Sequence, residues 1–409
     1  MPPSLTLVHR TRLLLLPCLL LMGCMDQNRT TPPQESTDSR LLELALHDTR
    51  GGFARVQEGR TFQFPQDHGS HPRFKQERWQ FSGNLQTSNG RQFAYQFTLQ
   101  RIGLMNDVVT MLNRTGSTDK TSRWRSNHLY LANFSLSDKA NNKFYQFAKS
   151  ERASLGLADV SLKEGKPTGQ AGLIMNIDNW TVTSTTSAIF PLHLTLNQQD
   201  ISMDITLDSA SAIQSNGLQG KRQQGSESGN ASYTYTIPRL KSSGQIAVGQ
   251  QSYGVAGDSW FDHDWGTAVQ GADIAGMDQY SLQLADGREL RYSRLREGQL
   301  DDSAWSRGIM VFANDQSEVI NPDDIQLQAT QQWTSPQTGI RYPVSWTITL
   351  PKYNLTLNVT PIITNQELQQ KQNGWQGAVR VAGIQNQDTD TAKTQTLSGY
   401  GYLRLEGYQ

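Results

Sequence analysis

Apolar residues recur at every second position along much of this chain. Phe93, Tyr95, Phe97 and Leu99 alternate with polar or small residues, and so do Ile201, Met203, Ile205 and Leu207. Val344, Trp346, Ile348 and Leu350 repeat the pattern, followed by Leu355, Leu357 and Val359. Period-two alternation gives a strand one packed face and one wet face, as in antiparallel sheets. Asn89-Gly90, Asp286-Gly287 and Ser228-Gly229 supply hairpin turns between such runs. Helical periodicity is scarce. Asp38 or Ser39 can cap one short helix through Leu41, Leu42, Ala45 and Leu46. The chain therefore reads as all-β with very little helix, below about 15% against the roughly 30–35% usual in globular proteins.

Two segments repeat. Gln80-Phe81-Ser82 leads through a strand to Asn89-Gly90-Arg91-Gln92-Phe93, and Gln279-Tyr280-Ser281 leads likewise to Asp286-Gly287-Arg288-Glu289-Leu290. Late in each unit, Gly257-Asp258-Ser259-Trp260-Phe261 is matched by Gly399-Tyr400-Gly401-Tyr402-Leu403. The repeat predicts two β units, 60–266 and 267–409. A length of 409 residues suits two or three domains. Antiparallel sheets of this size close into barrels or sandwiches, which removes exposed edges.

Ahead of these units, Arg10 and Arg12 precede an apolar run from Leu13 to Met22, broken only by Pro17 and Cys18. It is shorter than the ~20 residues that span a bilayer and has the form of a secretory signal peptide. It ends in Leu21-Met22-Gly23-Cys24, which resembles a bacterial lipobox, with Met22 an uncommon residue at its position. That resemblance implies a lipoprotein signal peptide over 1–23 and a lipid on Cys24. Residues 24–59 are then a lipid-anchored tether, flexible around Thr30-Thr31-Pro32-Pro33-Gln34, with the short helix near its end. No aspartate follows Cys24, which by resemblance to lipoproteins of two-membrane bacteria favours the outer membrane over the inner, with the body facing the periplasm. Cleavage leaves Cys24 as the only cysteine, so no disulfide framework is available. Lys and Arg number 37 and Asp and Glu 37, a balance that argues against a nucleic-acid partner and against a polybasic membrane-surface protein.

Further motifs follow in order: Phe64-Pro65-Gln66-Asp67-His68-Gly69-Ser70-His71-Pro72, then Glu77-Arg78-Trp79-Gln80-Phe81-Ser82-Gly83-Asn84-Leu85, then Ala231-Ser232-Tyr233-Thr234-Tyr235 and Pro238-Arg239-Leu240. Gly257-Asp258-Ser259-Trp260-Phe261-Asp262-His263-Asp264-Trp265-Gly266 comes next, and Trp375-Gln376-Gly377-Ala378 lies near the end. This order resembles the AttH-like and carotenoid 1,2-hydratase (hydroxyneurosporene synthase) superfamily, also described as predicted secreted hydrolases, over about 60–409. The chain departs from the family pattern in two places. Glu77-Arg78-Trp79-Gln80 stands where the family has Glu-Trp-Trp-Tyr, and Trp375-Gln376-Gly377 where it has Trp-Glu-Gly. The resemblance implies two tandem lipocalin-like antiparallel β-barrels.

Three functions are then open. The first is an exported lipoprotein that binds an apolar lipid or isoprenoid-like molecule, since barrels of this kind can hold one small ligand. The second is a hydro-lyase or cyclase-like enzyme on such a substrate. The third is an envelope accessory protein that partners an ABC transporter permease, a class with which AttH-like proteins are associated. Hydrating an isolated alkene needs a strong proton donor, and a carboxylic acid in an apolar barrel gains that character as burial raises its pKa. Trp and Tyr faces stabilise the resulting cation. The expected catalytic residues are Asp262, His263 and Asp264, with Trp79, Trp260, Trp265 and Tyr280 lining the ligand and Asp67, His68 and His71 on the rim. On a strand, Trp260, Asp262 and Asp264 share one face, and Phe261, His263 and Trp265 the other. Which face points inward is open, and so is the alternative that Asp262, His263 and Asp264 form a hydrogen-bonded tie between the barrels. His68 and His71 with Asp67 suit a metal by type, yet Asp67-His68-Gly69 is ordinary turn chemistry, so no metal or cofactor is expected. Gly-x-Ser-x-Gly is absent, which leaves the nucleophile-elbow reading without support.

Overall fold

In this computed structural model the described residues are 52–104, 126–164 and 171–409, apart from 187, 218, 227–228, 268–273, 299–301, 370–373 and 387–393. The expected signal peptide, Cys24 and the short helix near residues 38–46 lie outside the described residues. Helical structure among the described residues is limited to three single-turn 3-10 segments, Gln66–His68, Pro322–Asp324 and Pro351–Tyr353.

The first sheet begins with β1 (Gln76–Gln86), β2 (Gln92–Gly103), β3 (His128–Asp138) and β4 (Lys143–Arg152). It continues through β5 (Ala158–Glu164), β6 (Ala171–Ile177), β7 (Trp180–Ser184), β8 (Leu192–Gln198) and β9 (Ile201–Ser209). Two short strands, β10 (Gln214–Ser215) and β11 (Lys221–Gln223), precede the long β12 (Ala231–Val248) and β13 (Gln251–Gly266). The strand order is β4-β3-β2-β1-β13-β12-β9-β8-β7-β6-β5, and the β4 edge comes round to β6, so the sheet is a nearly closed barrel.

The second sheet opens with β14 (Gly276–Leu284), β15 (Glu289–Arg296), β16 (Arg307–Val311) and β17 (Ser317–Ile320). Then come β18 (Gln326–Thr334), β19 (Arg341–Leu350), β20 (Leu355–Pro361), β21 (Glu367–Leu368), β22 (Gly374–Asn386) and β23 (Thr394–Glu406). Its order, β17-β16-β15-β14-β23-β22-β20-β19-β18, makes a half-barrel. Where the sequence implies two barrels, only the first sheet comes near to closing.

The repeated segments hold equivalent places. In each sheet the first strand pairs with its hairpin partner on one side and with the last strand on the other. Phe81 faces Phe261 and Ser82 faces Trp260, and in the same register Tyr280 faces Leu403 and Ser281 faces Tyr402. The two glycine hairpins at Asn89-Gly90 and Asp286-Gly287 fall between β1 and β2 and between β14 and β15, and both glycines have positive φ, the backbone region such turns require.

The alternating apolar faces form two cores. In the first, Trp180 on β7 meets Phe97 on β2 and Phe134 on β3 edge-on, with ring centroids 6.3 and 6.0 Å apart. These strands stand on opposite walls, so the rings fill the barrel at that level. In the second, Asp278 is buried on β14 beside Arg294 and Arg296 at 3.3 and 3.4 Å and accepts a hydrogen bond from the Tyr408 hydroxyl at 2.9 Å. Burial pushes the Asp278 carboxyl up to about 6 against the pull of both arginines.

The outer faces of the two sheets meet along a polar seam. Arg291 on β15 and Gln279 on β14 donate to Asp262, both at 3.3 Å. Arg239 on β12 pairs with Glu289 on β15 at 2.8 Å, and Gln96 on β2 donates to Gln376 on β22 at 2.7 Å. A pocket of about 10 Å³ lies on this seam beside Gln96, Asn133, Gln146 and Gln376, room for about one water.

Candidate active site

Register decides which face of β13 lies inside the barrel. His263 lies opposite Trp79 on β1 and Tyr235 on β12, and Trp265 lies opposite Glu77 and Tyr233. These six side chains therefore share the inner face at one end of the first barrel. The turn Gln66–His68 and the residues after it fold over that end and bring Asp67, His68 and His71 onto the same group. Residues 52–65 cross the opening as an irregular strap. It is fastened by the Ala54 N–H to the Arg73 carbonyl at 2.9 Å and by Gln57, whose N–H and carbonyl both bond the Tyr233 hydroxyl at 2.9 Å. Phe62 packs on Trp265 at 5.6 Å, and Phe64 on His68 at 4.7 Å.

The polar groups form one connected chain. His68 Nδ1 lies 2.6 Å from the Tyr235 hydroxyl, which lies 3.3 Å from His263 Nδ1. His263 Nε2 is 3.0 Å from Glu77 Oε1, and the same oxygen is 2.6 Å from His71 Nδ1. His71 Nε2 is 2.9 Å from Asp67 Oδ1, which Arg60 also reaches. The other Glu77 oxygen accepts from Arg101 Nε at 3.0 Å and from the His71 backbone N–H at 2.8 Å. The His71 ring stacks on the Trp265 indole, 3.9 Å between centroids and 3° between planes.

Charge states follow from these partners. Burial raises the Glu77 pKa, but Arg101, His263 and His71 outweigh it and hold the carboxyl well below its usual range. Asp67 is also lowered, since His71, the Gln63 N–H and Arg60 overcome the effect of burial. Burial pulls His71 down, yet its bonds to Asp67 and Glu77 win and leave its pKa raised. Burial dominates at His263, which is lowered, and at His68, lowered to about 3. With His71 charged and the other two neutral, His68 Nδ1 can donate to the Tyr235 oxygen, while His263 Nδ1 lies between the Asp67 carbonyl at 3.1 Å and the Tyr235 hydroxyl at 3.3 Å and its Nε2 faces Glu77. Nitrogen-15 correlation spectra should accordingly show both His71 nitrogens protonated at pH 6.5, with His68 neutral down to about pH 3. The raised His71 pKa adds stability that is complete below its unfolded value of about 6.5 and is lost as pH rises through the folded value. A neutral His71 at pH 6.5 would contradict this assignment.

Ligating atoms of His71, Glu77 and His263 lie within 4.8 Å of one another, the one such grouping among the described residues. Their spacing is that of shared protons. The 2.6 and 3.0 Å separations are shorter than the roughly 3.4 Å between ligands around tetrahedral zinc, and Arg101 occupies the second Glu77 oxygen.

Of the residues singled out in the sequence, the fold brings together Asp67, His68, His71, Trp79, His263 and Trp265. Trp260, Asp262 and Asp264 point the other way, into the seam. There Trp260 donates to Asp262 at 3.0 Å and Arg78 pairs with Asp264 at 2.8 Å. Asp262 thus ties one sheet to the other, while His263, one residue on, lies in the barrel. Tyr280 is in the second core, edge-on to Trp346 at 5.6 Å. Glu77, Arg101, Tyr235 and Arg60 were not among the expected site residues. The same period-two count, run back from Trp79 and on from Leu99, places Glu77 and Arg101 on the inner face.

No curated protein matches this chain. Among solved structures it is similar to a Nitrosomonas europaea protein described as an AttH, with 25% identity and a TM-score of 0.71 over 87% of this chain and 100% of that one. Kievitone hydratase from Nectria haematococca shares 13% identity with a TM-score of 0.59, over 87% of this chain and 98% of its own. CghA, solved with Sch210972, shares 9% with a TM-score of 0.53, over 88% and 95%. At 13% and 9% the likeness is one of fold. The AttH-like family model runs from residue 55 to 408, from the strap through both sheets to the end of β23, and the chain belongs to that family.

Proposed function

We propose that the first barrel carries a proton-transfer centre that adds water to, or removes it from, a double bond conjugated to a carbonyl group on a substrate with an apolar body. The observation that supports this reading best is the His71–Glu77–His263 chain, buried among aromatic rings, with His71 as its charged member. Both barrel carboxyls are held as anions, so the expected carboxylic-acid donor gives way to an imidazolium. An imidazolium is too weak an acid for an isolated alkene, and activation by a carbonyl removes that difficulty. Water adds its oxygen to the far carbon of the double bond, the electron pair passes to the carbonyl oxygen, and the enolate so formed takes the His71 proton at the carbon beside the carbonyl. The proton that water loses returns to the cluster, so the net change is one water gained. The reverse sequence releases water.

Below the cluster the rings of Phe97, Phe134 and Trp180 pack edge to face. In this reading the Cys24 anchor keeps the centre at a membrane, where an apolar substrate partitions. The test is incubation in D₂O with a panel of long-chain α,β-unsaturated ketones and acids, followed by mass spectrometry. Deuterium at the α-carbon or gain of a water is expected for at least one member. Uniform absence of both above the buffer rate would sink the reading.

A further inference from the structure

We propose that this site holds its substrate by a carboxylate or carbonyl oxygen, bound between the Trp265 indole N–H and the Arg60 guanidinium, with a fatty or aromatic carboxylate as the ligand class. The inference rests on the reading of the cluster as a substrate site and adds the group by which the substrate is recognised. Six tryptophans are buried among the described residues. Five donate their indole N–H: Trp79 to the His68 carbonyl, Trp180 to the Asn197 carbonyl, Trp260 to Asp262, Trp346 to the Pro343 carbonyl and Trp375 to the Thr364 carbonyl. Trp265 is 1% exposed, and its Nε1 has no partner. Buried donors are usually satisfied, and Trp265 is the exception among the buried tryptophans, so it calls for an acceptor.

A second unpartnered donor lies beside the first. The Arg60 guanidinium carbon stands 5.5 Å from the centre of the Trp265 ring and 5.2 Å from that of Tyr233, and its Nε is also without a partner. No atom of Asp67, His71, Glu77 or His263 is left unsatisfied, so the unmet demand here is for an acceptor and not for a donor. That excludes an amine and favours a carboxylate or carbonyl over a hydroxyl. Charge points the same way: among the described residues the ion pairs of Arg60, Arg101 and His71 run to Asp67 and Glu77, three cationic groups on two carboxylates. Phe62, Phe64 and Tyr233 supply apolar walls, and Arg60, Phe62 and Phe64 are part-exposed, which marks the route in. An oxygen held there sits against the indole on which His71 is stacked. As charge builds on that oxygen during addition of water to the far carbon, the two donors stabilise it.

The probes are decanoate and 1-decanol, which share a chain and differ in the head group, titrated against the protein by calorimetry. Decanoate should bind at least tenfold more tightly than decanol. Trp265→Phe keeps an aromatic ring and removes the N–H. It should weaken decanoate about five- to tenfold and leave decanol unchanged, and Arg60→Gln should shrink the same preference. Circular dichroism and a melting curve establish that each variant is folded, and the Arg60 variant carries the test if the Trp265 variant is not. Equal binding of the two probes, failure of both to bind, or wild-type decanoate affinity in both variants overturns the proposal. Deuterium uptake into an uncharged enone separates this outcome from failure of the His71 reading. Uptake without a carboxylate preference discards the oxygen site alone.

Discussion

Replacing His71 with glutamine should lower the rate of deuterium incorporation or water addition by about 10²–10⁴-fold, the usual worth of a positioned general acid. The imidazole carries the proton that both carboxylates stabilise, and a glutamine amide cannot give it up. The fold should survive, because Asp67 keeps Arg60 and Glu77 keeps Arg101. Neither carboxylate is then stranded without a cation. A purely structural His71 makes the opposite forecast, with a lower melting temperature and no specific loss of turnover. An unchanged rate in a folded variant would remove His71 from the chemistry.

The largest effect on stability is expected far from that site. Asp278→Ala should cost about 3–5 kcal/mol, the range for removing one partner of a buried ion pair. Arg296 is fully buried and Arg294 nearly so, and both lean on this carboxylate. In a domain of this size the loss corresponds to a fall in melting temperature of roughly 10 °C. The pH dependence has a definite sign. The folded pKa, raised to about 6, lies above the unfolded value of about 3.9. Between these values the native protein binds the proton and the unfolded chain does not, so this group's contribution falls as pH rises from about 4 to 6. Asp278→Asn should flatten that slope. A melting temperature of Asp278→Ala within a degree or two of wild type would show that the arginines do not depend on it.

The strands and their register were legible where local rules apply. Alternation at Phe93–Leu99 and Ile201–Leu207 marks β2 and β9, and the matched segments ending at Phe261 and Leu403 foretell two sheets with the same first-to-last pairing. The split of β13 into two faces was legible too, with His263 and Trp265 together. The direction of those faces was not, because both are largely buried: one lies in the barrel and the other in the polar seam between the sheets. Burial of Trp260 and Asp262 arises from the second sheet, whose approach no local pattern records. The clamp on His71 was equally hidden. It depends on a turn folding back onto Glu77, six residues along the chain, and on a strand arriving from residue 263. Tyr280 illustrates the limit of the repeat: it occupies the place of Phe81, but in a sheet whose sequence contains no histidine after position 263.

The strap that roofs the cluster also has a mechanical meaning. Residues 52–65 are held by a few separate bonds, at Ala54 and Gln57, whereas β1 is flanked on both sides by full-length neighbours. A pull on the chain ahead of residue 52 would load the strap bonds one after another, as in unzipping. The ladders of β1 would resist together, in shear. Once the Ala54 and Gln57 bonds have gone, Phe62 and Phe64 lift from Trp265 and Tyr235, which bares the cluster while both sheets stay whole, so that the segment entering the barrel acts as a ripcord for the chamber beneath it.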